Sequence, residues 1–560
     1  MNNEMRNERM VLKEKAINYF KKNNIPKTIE KSLNDLFLEV PADAYGYLSK
    51  YFENLSKPPK LSKIMAYEST GDLGTSTLSI KLFTIYRNEE IEFLQVTMPN
   101  DFNLKSGEAL TFDNAMINLN LTRNCIEIIN QTLSKKIIGI DPRDYEEIER
   151  ILRNDAVERQ MKYVEEIEKE DESEINKDEV KKEDVKSKVT SGKNSKKIPA
   201  LLVIPDEPSE MICSELHSHF SLSIALGIMS SLLEKQNLYK YTLNQLSLPE
   251  NKAERVTIPA IPLLSNGKGL PGKCQMIKKC LIIPNGLYSS PNEVAADLKK
   301  IYIKVWSTVQ SKFPASLIND RCELIPAFDR PEQFLDIIND ILKELELEEK
   351  MKIVLDISAN GIFDFNKGKY EVITGQLKSS DDFVTLLKEM VDHYPSIVGL
   401  INPLRKQDID GWKNLVKAVS DRCWIMGKSP QVFPRVQKIS ETPLYMQNFA
   451  LKVSMVGINI DGYSIYSDYI NCMRQLIDGN QKVCIWLEDL CGQNWVTDLA
   501  CGLNPYLLVL PSLRCSSGSG KLDRWAELMS PSENIFGLHF PVLHQESVTE
   551  IEELTSNLEI

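Results

Sequence analysis

Eight short apolar segments, each followed by turn-forming residues, limit what this 560-residue chain can fold into. In one of them Ile353 to Leu355 are apolar, Asp356 ends the run, and Gly361 follows within a few residues. The other seven cover residues 259–267, 278–286, 396–404, 423–428, 449–458, 482–489 and 506–512. From residue 352 onward helix-length segments separate the runs, which is typical of a parallel sheet. Eight such strands over about 270 residues predict a closed barrel with functional side chains at the carboxyl ends of its strands.

The composition indicates a chain that folds in water. The hydrophobic fraction is 42% and the mean hydropathy is −0.26, no apolar run approaches 18 residues, and residues 1–10 are polar, so we predict neither a membrane span nor a signal peptide. A net charge of −12 argues against a nucleic-acid surface. The eleven cysteines form no C-x-x-C pair, which favours buried, reduced thiols. We expect a cytoplasmic protein with neither nucleic acid nor membrane among its partners.

Residues 9–56 predict a small all-α unit. Apolar residues recur near a period of 3.6, and Pro26 and Pro41 separate the helices. About fifty residues in two or three amphipathic helices cannot bury their apolar faces alone, so we expect a homodimer or docking onto a partner. The pattern resembles the dimerisation-and-docking motif of the DPY-30 and RIIα type, with Pro41-Ala42-Asp43-Ala44 at the place of its Pro-x-Asp-Pro turn. The alternative is a helical cap on the next domain.

The next part of the chain predicts an α+β domain over residues 61–154 and 199–250. From residue 61 the hydrophobic period changes to two, which predicts antiparallel strands, and helical segments follow. Residues 155–198 have almost no large apolar side chains and are predicted to be a disordered, charged insertion. His217 and His219 lie in an apolar helical segment and are expected to be structural. The barrel then covers 257–535 and a C-terminal tail covers 536–560.

An antiparallel sheet with helices, followed by a barrel whose first two strands are consecutive, resembles the enolase family, and most closely a divergent animal branch of it. The motifs that carry the resemblance are PAIPLLSNG, IVLDISANGIF, FALKVSMVG and TDLACGL, which are similar to the barrel start, two strands and a late helix of enolases. The resemblance implies an α/β fold, with an enolase-like eight-stranded barrel behind the α+β domain and the all-α unit. It also implies conversion of 2-phosphoglycerate to phosphoenolpyruvate and water in glycolysis, with Mg²⁺ as cofactor. The expected small-molecule partner is 2-phosphoglycerate or a related phosphorylated acid. Association with cilia or flagella is compatible with it.

By this resemblance Lys452 is the proton-abstracting base and Asp356 is a metal ligand. The second and third metal carboxylates of the family are replaced by Ile401 and Lys428, so we expect Mg²⁺ to bind weakly. On the side that would protonate the leaving group, Arg321 stands at the place of a glutamate. The candidate substrate-binding residues are Lys278, Lys279, Arg321, Glu323 and Lys428.

Three functions stay open at this point. The chain is a phosphopyruvate hydratase with a rebuilt electrophilic side, or it is a catalytically weak or silent scaffold that docks an amphipathic helix through its N-terminal unit. The third possible function is binding without catalysis: Lys428, Arg321 and Lys278 line a pocket that holds a phosphorylated acid but does not convert it. Resemblance of fold cannot decide between them.

Overall fold

The structure is a computed structural model that describes most of the chain. The described residues are 2–71, 74–98, 112–185, 213–248, 256–267, 270–319, 321–405, 407–428, 454–460, 465–487, 493–530 and 538–540. They form two compact units, one of Met1–Lys60 with Thr84–Ile91, the other of Leu61–Phe83 with Glu92–Ile560.

The first unit contains three helices, α1 (Asn2–Lys22), α2 (Ile25–Glu39) and α3 (Ala44–Leu55). Their ends have local causes. Asn24 adopts a left-handed conformation with φ of 54°, which separates α1 from α2, and Pro26 lies in the first turn of α2. The Asp43 carboxylate accepts a hydrogen bond of 2.9 Å from the Gly46 backbone N–H and so caps α3.

These helices leave their apolar side chains outside. Within the described residues 10–55 only Ser32 is buried. Phe37, Leu38 and Tyr45 are 80%, 78% and 86% exposed. The unit therefore has no hydrophobic core of its own.

After these helices the chain forms a three-stranded antiparallel sheet in the order β1-β2-β3, as predicted, followed by further helices. The elements are β1 (Lys60–Thr70), β2 (Ser76–Tyr86), β3 (Glu89–Thr97), α4 (Phe112–Ile128), α5 (Ser134–Ile137), α6 (Tyr145–Val185), α7 (His217–Leu233) and α8 (Leu238–Leu246). Ser214–Leu233 is long and apolar enough to cross a membrane, but 89% of that window is buried inside the unit. It is the central core helix of the domain.

The structure differs from the prediction of a disordered insertion over 155–198, because α6 continues to Val185. Its early part is held by packing that composition does not reveal: the Gln160 side chain accepts a hydrogen bond of 3.0 Å from the Cys213 backbone N–H. Ion pairs at i, i+4 spacing, such as Glu158 with Lys162, also stabilise this helix. Residues 186–198 lie outside the described residues.

His219 lies at the centre of a buried polar network. Its side chain is fully buried, with Nε2 at 2.9 Å from Asp155 Oδ2 and Nδ1 at 3.1 Å from Ser218 Oγ. Burial lowers the pKa of His219, and the hydrogen bond with Asp155 only partly opposes this. Burial by itself raises the pKa of Asp155, but hydrogen bonds from His219, Lys136 and Arg159 together hold that pKa well below its usual value. His219 is therefore a neutral, hydrogen-bonded core residue.

This network predicts a pH-dependent stability. An unfolded histidine has a pKa of about 6.5, so as the pH falls below that value the unfolded chain binds a proton that buried His219 does not, and the free energy of unfolding falls. The contribution is at most about 1.4 kcal/mol per pH unit. We expect His219→Gln to flatten the dependence between pH 7 and 5 in urea unfolding. The control His393→Gln, at an exposed position, should keep the wild-type slope, and an equal slope in both variants would contradict the assignment.

The remaining elements form a closed eight-stranded barrel with helices outside. In chain order they are β4 (Ile258–Ser265), β5 (Lys279–Pro284), β6 (Gly286–Tyr288), α9 (Pro291–Lys312), β7 (Leu317–Ile318), β8 (Leu324–Ile325), α10 (Pro331–Glu344), β9 (Met351–Asp356), β10 (Phe363–Asp364), β11 (Lys369–Ile373), β12 (Gln376–Lys378), α11 (Ser380–His393), β13 (Ile397–Ile401), α12 (Ile409–Val419), β14 (Trp424–Lys428), β15 (Met455–Asn459), α13 (Tyr466–Asp478), β16 (Lys482–Trp486), α14 (Trp495–Gly502), β17 (Leu507–Val509), α15 (Ser516–Met529) and β18 (Leu538–Phe540). The barrel order is β4-β5-β9-β13-β14-β15-β16-β17, closed by β17 against β4.

The barrel was predicted as a parallel sheet, and one strand departs from that. β5 runs antiparallel to both β4 and β9. The described residues of the connection between β4 and β5, 266–267 and 270–278, contain no helix that would carry the chain back for a parallel pairing. Elsewhere the register is parallel and tightly packed. Gly399 of β13, for example, leaves the space that the Trp424 ring of β14 fills. The reversal of β5 matters for the site, since it places the first residue of β5 at the carboxyl ends of its neighbours.

Candidate functional site at the carboxyl ends of the barrel strands

The register of the strands brings several of the predicted residues to one end of the barrel. Asp356 is the last residue of β9 and pairs with Ile401, the last residue of β13. Lys279 is the first residue of the reversed strand β5, and its Cα partner on the other side of β9 is the same Asp356. Lys428 ends β14. We call this end of the barrel the mouth.

A buried ion pair lies at the mouth. Lys279 Nζ is 2.9 Å from Glu323 Oε1, and the two side chains are only 5% and 4% exposed. Asn319 donates a hydrogen bond of 2.8 Å from Nδ2 to the other carboxylate oxygen of Glu323. In return, the Glu323 backbone N–H donates to Asn319 Oδ1 at 2.8 Å. Because both oxygens of Glu323 have partners, the turn from Asn319 to Glu323 holds this carboxylate firmly against Lys279.

Asp356 is the third charged group of the mouth. It is 2% exposed, and the Ser358 hydroxyl donates to its Oδ1 at 2.7 Å. Directly opposite residues of an antiparallel pair project from the same face of the sheet, so the side chains of Asp356 and Lys279 are neighbours. Of the two carboxylates, Glu323 forms the ion pair with Lys279, and Asp356 is the neighbour of Lys279 in the strand register.

The described residues do not fit the magnesium ion that the resemblance implies. Mg²⁺ requires near-octahedral oxygen ligation. Ile401 offers no oxygen where the second carboxylate is needed, and Glu323 is already paired with an ammonium. Within the part of the chain that the structure describes, no group of three or more His, Cys, Asp or Glu side chains could hold a metal ion.

The other predicted site residues have varied positions. The Lys278 backbone N–H donates to the Asp356 carbonyl at 2.7 Å, and Arg321 is half-buried in the turn that presents Glu323. Lys452 lies outside the described residues. The side chain of Lys428 is also outside them, so its predicted role stays a prediction.

Arg405 is a residue at the mouth that the sequence reasoning missed. It follows β13 by four residues and is 5% exposed. Its guanidinium carbon lies 4.3 Å from the ring centroid of Phe363 and 4.7 Å from that of Phe365, while Nε donates to Asn360 Oδ1 at 3.3 Å. No feature of the sequence distinguishes this arginine, because the two rings that hold it come from the small sheet inserted after β9.

Comparisons with known proteins agree with this architecture. The model of the C-terminal TIM barrel domain of enolase matches residues 254–457. Enolase 4 of Danio rerio is 26% identical over 94% of this chain and 92% of its own length. Enolase 4 of Xenopus laevis is 29% identical over 92% and 91%, and that of Homo sapiens is 25% identical over 94% and 88%.

The chain is similar to the enolase family, whose C-terminal barrel domain matches residues 254–457. Within the family its similarity to the Enolase 4 proteins extends over nearly all of its length. The enolase of the bacterium Corynebacterium kroppenstedtii is 24% identical over only 38% of this chain and 49% of its own. This chain thus combines an enolase-like barrel with the buried ion pair described at its mouth.

Proposed function

We propose that this enolase-like protein is a homodimeric scaffold, with little of the family's lyase activity left, that docks an amphipathic helix of a partner through its N-terminal helical unit. The observation that carries the proposal is the missing core of α1–α3. Its apolar side chains are exposed, and a unit of about fifty residues that buries almost nothing is stable only when another surface covers it.

A second copy of the same unit is the first surface that fits. Closed homodimers use the same patch twice, and the exposed residues Phe37 and Leu38 on α2 would then face their own counterparts. Two such units form a longer apolar groove, which suits the apolar stripe of an amphipathic helix. The expected location is the cytoplasm, including its extension into cilia or flagella.

We expect Phe37→Glu with Leu38→Glu in the full chain to abolish the dimer. Covering one large apolar side chain is worth roughly 1.5–3 kcal/mol, so placing two charges there weakens association at least about 100-fold. Sedimentation velocity at micromolar concentration measures it. Ile409→Glu, which changes an exposed apolar residue of α12, is the control and should stay dimeric. A monomeric wild-type chain would contradict the dimer, and residues 9–56 would then be interpreted as a helical cap on the next domain.

The family reaction is the second candidate function, and similarity to the family together with the retained Asp356 favours it. In that case Lys452 removes the proton of 2-phosphoglycerate, and other residues replace the family's groups that stabilise the negative charge formed on the substrate. Binding of a phosphorylated acid without turnover, with Lys278, Lys279, Arg321 and Lys428 as candidate contacts, is the intermediate case. Calorimetric titration with 2-phosphoglycerate in the presence of EDTA distinguishes binding without turnover from the scaffold and from the family reaction. Only binding without turnover predicts that 2-phosphoglycerate binds tightly and that no product forms.

A further inference from the structure

A groove of about 550 Å³ lies between α9 and the chain that follows β17. One wall is a face of α9, whose members recur at helical spacing: Lys299, Tyr302, Ile303 and Trp306. The opposite wall is the segment from Leu513 to Ser519, which leads into α15. Its α9 wall runs over more than one helical turn, from Lys299 to Gln310, which is long enough to pack against another helix.

The chemistry of the groove is apolar with a cationic rim. Ile303 is 67% exposed, and Tyr302 and Trp306 form the floor beside it. The Arg514 guanidinium lies 4.2 Å from the Trp306 ring centroid and forms no ion pair with a carboxylate of the described residues. Lys299, at the other end, is paired with Asp523 at 2.6 Å. An acidic amphipathic helix complements such a surface.

The sequence of this chain contains a segment of that kind. Residues 541–560, which lie outside the described residues, contain five glutamates and no lysine or arginine. Val548, Ile551, Leu554 and Leu558 recur at spacings of three and four, which predicts an apolar stripe on a helix.

The described chain ends on a strand that pairs with the strand leading into α9. β18 pairs antiparallel with β6, and β6 directly precedes α9. From Pro291 at the start of α9 to Tyr302 the helix rises about 17 Å. Phe540 is the Cα partner of Gly286, so the path from Gly286 to Pro291 adds at most about 17 Å. The eleven residues from Phe540 to Ile551 span up to about 36 Å, which is enough for the tail to reach Tyr302.

We propose that residues 541–560 bind in this groove as an acidic amphipathic helix of the same chain. Its apolar stripe covers Ile303 and the floor formed by Tyr302 and Trp306, and its glutamates lie near Arg514. The attraction between the glutamates and Arg514 sets the orientation of the bound helix, and the apolar contact supplies most of the affinity.

Hydrogen–deuterium exchange of the full chain, read by mass spectrometry, tests the proposal. Amides of residues 545–560 should exchange at least tenfold more slowly in the wild type than in Ile303→Glu, which places a like charge in the groove. Ile409→Glu is a matched control, since Ile409 is a similarly exposed residue of another barrel helix at 54% exposure. It should leave the protection unchanged. Arg514→Glu should reduce the protection, and Ile551→Glu should remove it as Ile303→Glu does.

Three outcomes overturn the proposal. Tail amides that exchange at the unprotected rate in the wild type would show that the tail is not bound. Protection that persists in Ile303→Glu would place the tail elsewhere. Protection that disappears on dilution together with a change in sedimentation would assign the groove to a second copy. The result is independent of the scaffold proposal, because the Phe37→Glu, Leu38→Glu chain should keep its tail protection as a monomer.

Discussion

Turnover of 2-phosphoglycerate by the wild-type chain is expected to lie at least about 1,000-fold below that of an ordinary enolase. Removing one donor that stabilises developing negative charge costs about 100- to 1,000-fold, and a metal pair contributes more than one donor. Here Ile401 provides no ligand and the Glu323 carboxylate is held by Lys279 at 2.9 Å. For the same reason we expect Mg²⁺ to bind with a dissociation constant of about 1 mM or weaker.

A coupled assay for phosphoenolpyruvate, with and without added Mg²⁺, measures this loss. Lys452→Ala should change the residual rate little, because a base alone cannot ionise a carbon acid next to a carboxylate without stabilisation of the product. The control is Lys367→Ala, at a side chain that is 62% exposed. A wild-type rate within tenfold of an ordinary enolase, abolished only by Lys452→Ala, would make the family reaction the function of this chain.

The barrel could be predicted from the sequence because each strand has its own local pattern. The run from Ile353 to Asp356 shows where β9 lies and where it ends, and the structure agrees to within a residue or two. The direction of β5 is not a property of its own residues. It depends on the connection between β4 and β5, and the parallel sheet predicted from strand–helix alternation was wrong at this one strand.

The site was less predictable, since its contacts join distant parts of the chain. Lys279 and Glu323 both appeared among the candidate residues, but nothing local to either indicates that they form a pair. Arg405 was missed for a similar reason. For α6 the composition was misleading. The scarcity of apolar residues predicted disorder, whereas the contact of Gln160 with Cys213 and local ion pairs favour a helix.

The second large effect is expected at the ion pair itself. Glu323→Ala leaves the ammonium of Lys279 buried beside Asp356 with one carboxylate partner removed, and breaking a buried pair in this way typically costs about 3–5 kcal/mol. Urea unfolding of the full chain measures this cost. The exposed pair of Lys304 and Glu344, whose side chains are 37% and 58% exposed, is the control, and Glu344→Ala should cost no more than about 1 kcal/mol.

Replacing both partners by apolar residues should behave differently. Lys279→Met with Glu323→Leu removes the desolvation penalty of both charges, so we expect it to recover most of the stability that Glu323→Ala loses. A loss below about 1 kcal/mol for Glu323→Ala would contradict the pairing and return Lys279 to the residues that hold substrate. If the loss is large and the double variant recovers it, Lys279 serves the barrel as a fixed counter-charge. An ammonium held in that way cannot turn toward an incoming phosphate without giving up its partner, and this is the physical reason to expect weak catalysis at the mouth.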